Sequence, residues 1–146
     1  MKPIDQSIRH DPEAGRHGDC FRAVMASLFE LPIEQVPHFL HDGCDADTFN
    51  QRINDWLRPM NLGYLPVGKC DSQWLSSNGL RGWHHEAYGP TSRGTNHACA
   101  ALDGVVVHDP HSSKAGLLEI EGTGVVLVLD PSKPVLLARV EEKAAT

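Results

Sequence analysis

Apolar residues recur at two different spacings along the chain, and the change of spacing divides it into two parts. Up to about residue 60 they return every three or four positions, as along one face of a helix. Beyond that point, short apolar runs are bounded by Gly, Ser, Asn and Pro, which is typical of strands. Helices followed by strands predict an α+β fold with an antiparallel sheet.

Three helices are predicted in the first part. The first begins at Cys20, with Asp19 as its N-cap, and buries an apolar stripe made of Phe21, Val24, Met25, Leu28 and Leu31. Pro32 begins a second, short helix in PIEQVPHFL, because proline is tolerated in a first helical turn. The third helix runs roughly from Asp45 to Met60.

Six strands are predicted in the second part, at Gly63–Val67, Trp83–Tyr88, His97–Leu102, Val105–His108, Gly124–Leu129 and Pro134–Val140. The stretch CDSQWLSSNG is predicted as a helical turn or a loop, and YGPTSRG as either a cleft wall or a simple connector. Residues 1–16 are expected to form an extended arm and residues 141–146 a flexible tail. No linker interrupts the pattern, so a single domain is predicted for 1–146.

Composition and charge narrow the functional class. The chain has 40% hydrophobic and 22% charged residues, which is typical of a globular protein, and its net charge of −6 argues against a nucleic-acid partner. No apolar run is long enough to span a membrane, and no secretory signal is evident at the N-terminus. A cytoplasmic protein with four free cysteines is therefore expected.

One cysteine has a position suited to chemistry. Cys20 stands at the predicted start of a helix, where the unpaired N–H groups favour a thiolate and should lower the thiol pKa. Such a thiol acts as a nucleophile when a base lies within hydrogen-bonding distance and a third group orients that base. The alternative is that Cys20 only fills the core, since free cysteine is among the most buried residue types.

A predicted hairpin supplies the base and the orienting group. In NHACAALDGVVVHDPH, His97 starts one strand and Asp109 ends the next. A three-residue loop with Gly104 in a bulge would place His97 directly opposite Asp109, on the same face. A two-residue loop would instead pair His97 with Pro110 and turn Asp109 to the other face, and the Asp-Gly pair permits both loops.

The segments GDCFRAVMASLFELP and NHACAALDGVVVHDPH resemble the papain-like cysteine peptidase superfamily, particularly small phage and bacterial members similar to bacteriocin-processing peptidases. The resemblance extends roughly from Gly18 to Leu117. It implies a papain-like fold in which N-terminal helices, one of them headed by cysteine, pack on an antiparallel sheet. It also implies a triad of Cys20 as nucleophile, His97 as base and Asp109 as orienting acid.

The superfamily commonly places an oxyanion-hole glutamine a few residues before the cysteine, and this chain does not. The upstream glutamine is Gln6, fourteen residues away. Three arrangements are possible: Gln6 folds back to the site, His17 or Asp19 replaces it, or the second donor is missing. The backbone N–H of Cys20 supplies a first donor, and Asn96 is a candidate substrate contact.

The expected function is that of a cysteine hydrolase, a peptidase, isopeptidase or amidase, which cleaves an amide-type bond in a peptide, protein or other amide through a Cys20 thioester. No cofactor and no metal are expected, and the sequence does not specify the oligomeric state. One alternative is a catalytically inactive papain-like module that binds a partner protein. The other is a metal site formed by Cys20, His97 and nearby histidines, although the nine histidines show no zinc-motif spacing.

Overall fold

A computed structural model describes residues 1–137 of the chain. Its α-helices are α1 (Cys20–Phe29), α2 (Ala46–Leu57) and α3 (Ser72–Ser77), with short 3₁₀ turns at Ile33–Gln35 and Arg58–Met60. Its strands are β1 (Leu62–Gly68), β2 (His84–Pro90), β3 (Asn96–Leu102), β4 (Val105–His108) and β5 (Gly122–Val128).

The five strands form one antiparallel sheet in the order β1-β5-β2-β3-β4. The last strand in sequence therefore lies between the first two, and β4 is left at an edge of the sheet. The predicted α+β class with an antiparallel sheet is confirmed.

The core lies between α1, α2 and one face of the sheet. Phe21 and Met25 of α1 are buried there with Ala98 and Ala100 of β3. Side chains on a strand alternate between its two faces, so these two alanines share the face that meets the helix. Their small size lets α1 approach β3 closely, which brings the start of the helix to the start of the strand.

Helix α2 begins as its sequence predicts. The Asp45 carboxylate accepts a hydrogen bond from the Thr48 N–H at 2.7 Å, which satisfies one of the free amides at the helix start. The helix ends at Leu57 and its path continues through the Arg58–Met60 turn, so the predicted span of Asp45 to Met60 is confirmed.

Three other local predictions need correction or completion. The helix predicted from Pro32 is only the Ile33–Gln35 turn, because Val36 is already extended and Pro37 follows it. The stretch CDSQWLSSNG contains α3, capped by Asp71. No strand forms in 134–137 of the predicted strand Pro134–Val140, and the rest of that segment lies outside the described residues, as does the predicted tail.

The β3–β4 hairpin has the two-residue loop, not the three-residue loop with a bulge at Gly104. Leu102 pairs with Val105, and both loop residues, Asp103 and Gly104, have positive φ, as a type I′ turn requires. The register then shifts between Ala101, which pairs with Val106, and Ala100, which pairs with His108. This β-bulge inserts one residue into β4 and reverses the direction of every later side chain. Asp109 is thereby returned to the His97 face.

Replacing Gly104 with alanine should destabilise the fold more than the same change at Gly79. Both glycines have positive φ, which costs an alanine about 1–2 kcal/mol. A Cβ on Gly104 would also lie 2.5 Å from the Ser72 backbone nitrogen at the start of α3, whereas a Cβ on Gly79 would meet no atom within 4 Å. The overlap should cost Gly104→Ala about 1–3 kcal/mol more. Urea unfolding of both variants measures the difference, and equal losses would contradict this account of the turn.

Across residues 1–137, no helix has the length and apolar character needed to cross a membrane.

Candidate functional site

A cavity of about 600 Å³ lies where the start of α1, the start of β3 and the N-terminal arm meet. Most of the candidate site residues predicted from the sequence line this cavity. The residues lining it are Gln6, His10, Pro12, His17, Gly18, Cys20, Leu40, Arg93, Thr95, Asn96, His97 and His111. Its volume is within the range of small-ligand sites in proteins.

Cys20 is the first residue of α1, and its side chain is half-buried in the cavity wall. Burial raises the pKa of its thiol to about 11; the backbone N–H groups of Ala98 and Phe21 lower it in part, while nearby Glu86 and Asp19 raise it further. The helix-start N–H of Phe21 lowers this pKa, but loss of hydration outweighs it, so the expected net lowering is wrong. Cys20 is a neutral thiol at pH 7.

His97 and Asp109 form a buried pair. The His97 Nε2 lies 2.7 Å from the Asp109 Oδ1, and the two residues are 7% and 6% exposed. A carboxylate only accepts hydrogen bonds, so the His97 Nε2 carries the proton. In a neutral ring the Nδ1 is then unprotonated and able to accept a proton. The structure thus brings together the predicted base and the predicted orienting acid.

The Asp109 carboxylate is fixed by further donors. Its Oδ1 also accepts from the His111 N–H at 2.8 Å, and its Oδ2 accepts from the Gly116 N–H at 2.8 Å. Burial by itself would raise the Asp109 pKa, but the hydrogen bonds from His111, His97 and Gly116 together bring it below its usual value. Asp109 is therefore ionised and rigidly oriented toward His97.

The electrostatic surroundings favour a neutral His97. Burial lowers its pKa, and the positive charge of Arg93 contributes in the same direction, while Asp109 only partly opposes them. The resting site therefore holds a neutral thiol and a neutral imidazole, and not the thiolate predicted from the sequence. Within residues 1–137 no hydrogen bond joins the Cys20 sulfur to His97, although both side chains line the same cavity.

Gln6 reaches the site from the N-terminal arm. Its backbone N–H donates to the Pro110 carbonyl at 3.0 Å, which anchors the arm next to Asp109. Its side-chain Nε2 donates to the Ile8 carbonyl at 2.8 Å, and its Oε1 is buried without a hydrogen-bond partner in the described part of the chain. Of the four candidate oxyanion or substrate residues, Gln6, His17 and Asn96 line the cavity.

Asp19 is the fourth candidate, and its side chain is used elsewhere. It is 1% exposed, precedes α1 and makes no side-chain bond to the helix start. Its carboxylate instead accepts from the Ser7 N–H and hydroxyl and from the Ile8 N–H, and it pairs with Arg22. Asp19 therefore holds the N-terminal arm over the start of α1 and does not line the cavity.

Several residues that line the cavity are not among the candidate site residues predicted from the sequence. Arg93 and Thr95 lie between β2 and β3, and Arg93 belongs to YGPTSRG, the segment predicted as a cleft wall or a connector. The His111 ring lies 6.0 Å from that of His97 in an edge-to-face arrangement. Their positions depend on contacts between distant segments, which no local pattern reports.

The closest grouping of metal-ligating residues in the described chain is His97, Cys99 and Asp109, whose ligand atoms lie within 4.8 Å of one another. Two ligands of one tetrahedral zinc, each about 2.0–2.1 Å from the ion, would be about 3.3 Å apart. The 2.7 Å between His97 and Asp109 is instead the length of a charge-assisted hydrogen bond. The three residues thus fit a hydrogen-bonded pair beside a buried thiol better than a metal centre.

No protein-family model matches the chain, and comparisons with curated proteins and with solved structures gave no significant match.

Proposed function

We propose that the protein is a cysteine hydrolase that cleaves an amide-type bond through a thioester on Cys20. The observation that carries this proposal is the cavity itself, which contains a thiol at a helix start and a histidine oriented by a buried carboxylate. The order of Cys20, His97 and Asp109 along the chain and the α+β framework are also those of the papain-like superfamily. Papain-like ancestry is part of the proposal.

The proposed reaction begins with two neutral groups. As the Cys20 sulfur attacks the carbonyl carbon, the His97 Nδ1 accepts the thiol proton, and the ring becomes an imidazolium paired with Asp109. When the C–N bond breaks, the same proton passes from Nδ1 to the leaving nitrogen. Water then attacks the thioester and gives its proton to Nδ1, and that proton returns to the sulfur as the acid is released.

Two groups are suited to stabilise the oxyanion of the tetrahedral intermediate. The backbone N–H of Cys20 is at the start of a helix, where amides have no intrahelical partner. The Gln6 side chain lines the same cavity and retains a second N–H beyond the one that bonds Ile8. For attack, the thiol must turn from the Ala98 and Phe21 backbone toward His97.

A second candidate is an inactive binding module of the same fold. The raised thiol pKa and the lack of a Cys20–His97 hydrogen bond in the described chain both favour it. The cavity would then bind a partner segment without reaction at the sulfur.

Acylation by p-nitrophenyl acetate distinguishes the two candidates. For a hydrolase, we expect an acetyl group to appear on Cys20, detected by mass spectrometry of tryptic peptides, with continued release of p-nitrophenol as the thioester hydrolyses. Cys20→Ala should abolish both signals, while Cys44→Ser, a matched change at another half-buried thiol, should leave them unchanged. The proposal would be contradicted if Cys20 were acetylated no faster than Cys44 and Cys70, or if turnover remained in the Cys20→Ala variant.

A further inference from the structure

Among residues 1–137, those that line the cavity include no Asp or Glu, although the chain as a whole is acidic. Its charged or ionisable side chains are Arg93, Cys20 and the four histidines His10, His17, His97 and His111. The complete chain has 19 acidic and 13 basic residues and a net charge of −6. The composition of the lining is thus opposite to that of the chain, which favours a negatively charged group in the cavity.

Three carboxylates on the segments around the cavity are paired with basic groups. The pairs are Asp5 with Lys114, Asp11 with Arg16, and Asp19 with Arg22. The Asp109 carboxylate accepts hydrogen bonds from His97 and from the backbone N–H groups of His111 and Gly116, and it does not line the cavity. Arg93, whose guanidinium stays charged at neutral pH, supplies positive charge to the lining itself.

Arg93 is placed to bind an anion. It lies on the β2–β3 connection, its side chain is exposed, and its Nη1 donates to the Ser113 hydroxyl at 3.0 Å. It forms no ion pair with any carboxylate of residues 1–137. Its charge lowers the pKa of both His97 and His111, after the larger effect of burial, so its field extends to the proposed base.

His111 adds a second donor beside Arg93. The Ser113 backbone N–H donates to the His111 Nδ1 at 3.0 Å, so Nδ1 is an acceptor and the proton of the neutral ring is on Nε2. The Ser113 hydroxyl lies between the two side chains, 2.9 Å from the His111 Nδ1 and 3.0 Å from the Arg93 Nη1. Arg93 and His111 are thus held together on the same wall of the cavity.

We propose that the substrate carries a carboxylate close to the bond that is cleaved, and that Arg93 and the Nε2–H of His111 bind it. This inference rests on the proposed cysteine hydrolase function and specifies its substrate class. A carboxylate suits the site because one guanidinium balances one negative charge and its fork matches two carboxylate oxygens. The carboxylate belongs either to an acidic side chain or to the C-terminus of a peptide.

Two alkylating reagents of similar size test the carboxylate site without turnover. Iodoacetate carries a carboxylate and iodoacetamide a neutral amide, and both react with thiols. A hydrogen-bonded charge pair should raise the ratio of iodoacetate to iodoacetamide rates at Cys20 about tenfold above the ratio at Cys44 and Cys70. Peptide mass spectrometry measures all three thiols in one sample, so the two other thiols serve as internal references.

A pair of charge-matched variants makes the test specific. Arg93→Gln should reduce the Cys20 ratio to that of the reference thiols. Arg81→Gln removes the same charge but lies beyond the opposite end of the β2–β3 hairpin, since His84 pairs with Leu102 and Pro90 with Asn96, and it should leave the ratio unchanged. Equal ratios at all three thiols in the unmodified protein, or the same loss in both variants, would overturn the inference.

Peptide pairs identify the source of the carboxylate. Binding without reaction at the sulfur is measured by calorimetric titration of the Cys20→Ser protein. One pair of peptides differs only by Glu or Gln, and the other only by a free or amidated C-terminus. We expect about tenfold weaker binding when the recognised carboxylate is neutralised, and no difference in either pair would also overturn the inference. Loss of carboxylate selectivity with turnover retained leaves the hydrolase proposal standing, whereas selectivity without turnover supports the inactive module.

Discussion

Replacing His97 with alanine should slow the acetylation of Cys20 at pH 7 by a factor of about 10²–10⁴, the usual contribution of a positioned general base. The thiol pKa of about 11 means that only about one thiol in ten thousand is ionised at pH 7 without help. In the proposed mechanism the unmodified protein avoids this limit, because the His97 Nδ1 accepts the proton during attack. Stopped-flow release of p-nitrophenol under single-turnover conditions measures the rate.

The pH dependence should change form in the same variant. For the proposed hydrolase His97 must be neutral, so the rate should fall as the pH falls through the His97 pKa, which burial lowers from its usual value, and should be nearly constant above it. In His97→Ala only the thiolate reacts, and the rate should rise about tenfold for each pH unit until the thiol pKa near 11. A His97→Ala profile that still reaches a plateau near pH 7 would contradict the assignment of His97 as the base.

His84→Ala is the matched control for this comparison. His84 is an exposed histidine at the far end of the β2–β3 hairpin, and its removal should leave both the rate and the pH profile unchanged. Far-UV circular dichroism of both variants verifies that the fold is retained. A similar slowing in His84→Ala would indicate that loss of a strand histidine, and not of the base, causes the effect.

Replacing Asp19 with alanine should reduce the free energy of unfolding by about 3–5 kcal/mol, as for loss of one partner from a buried ion pair. The removed carboxylate is 1% exposed and accepts hydrogen bonds at 3.0, 2.6 and 2.8 Å from Ser7 and Ile8, besides its contact with Arg22 at 3.4 Å. The variant therefore leaves two backbone amides and a hydroxyl without their acceptor, and Arg22 keeps only its bond to the Val36 carbonyl. Guanidinium chloride unfolding measures the loss.

Two companion variants separate the causes of that loss. Asp19→Asn retains one acceptor for the Ser7 and Ile8 amides and should lose less stability than Asp19→Ala. Asp45→Ala removes an exposed N-cap carboxylate that accepts one bond, and it should cost about 1 kcal/mol. Equal effects of Asp19→Ala and Asp45→Ala would contradict the account of Asp19 as the anchor of the N-terminal arm. Limited proteolysis after Arg9 or Arg16 should also become faster in Asp19→Ala as the arm detaches.

The helices and strands follow closely from sequence patterns that operate within a few residues. The helix from Asp45 to Met60 and the Val105–His108 strand are predicted because a helix needs only its apolar spacing and a strand only a short apolar run between turn residues. The second helix is shorter than predicted, because Pro37 interrupts the segment that Pro32 begins as a first helical turn.

The hairpin shows where local rules become insufficient. The Asp-Gly pair permits two loops, and the structure has the one that by itself would turn Asp109 away from His97. A bulge in β4 reverses that consequence, so the expected His97–Asp109 contact forms by a different route. The bulge leaves no clear mark in the sequence VVVH, because any of these residues is compatible with it.

By itself, the sequence determined the α+β class and the position of Cys20 at a helix start, and it named His97 and Asp109 as the candidate base and orienting group. Only the tertiary structure decided that Gln6 and Arg93 share the cavity of Cys20, that Asp19 anchors the arm, and that the thiol is neutral. The physical reason is the distance along the chain over which each interaction acts. Helix starts and strand alternation depend on neighbours in the chain, whereas hydration and charge pairing depend on every segment that folds against a group.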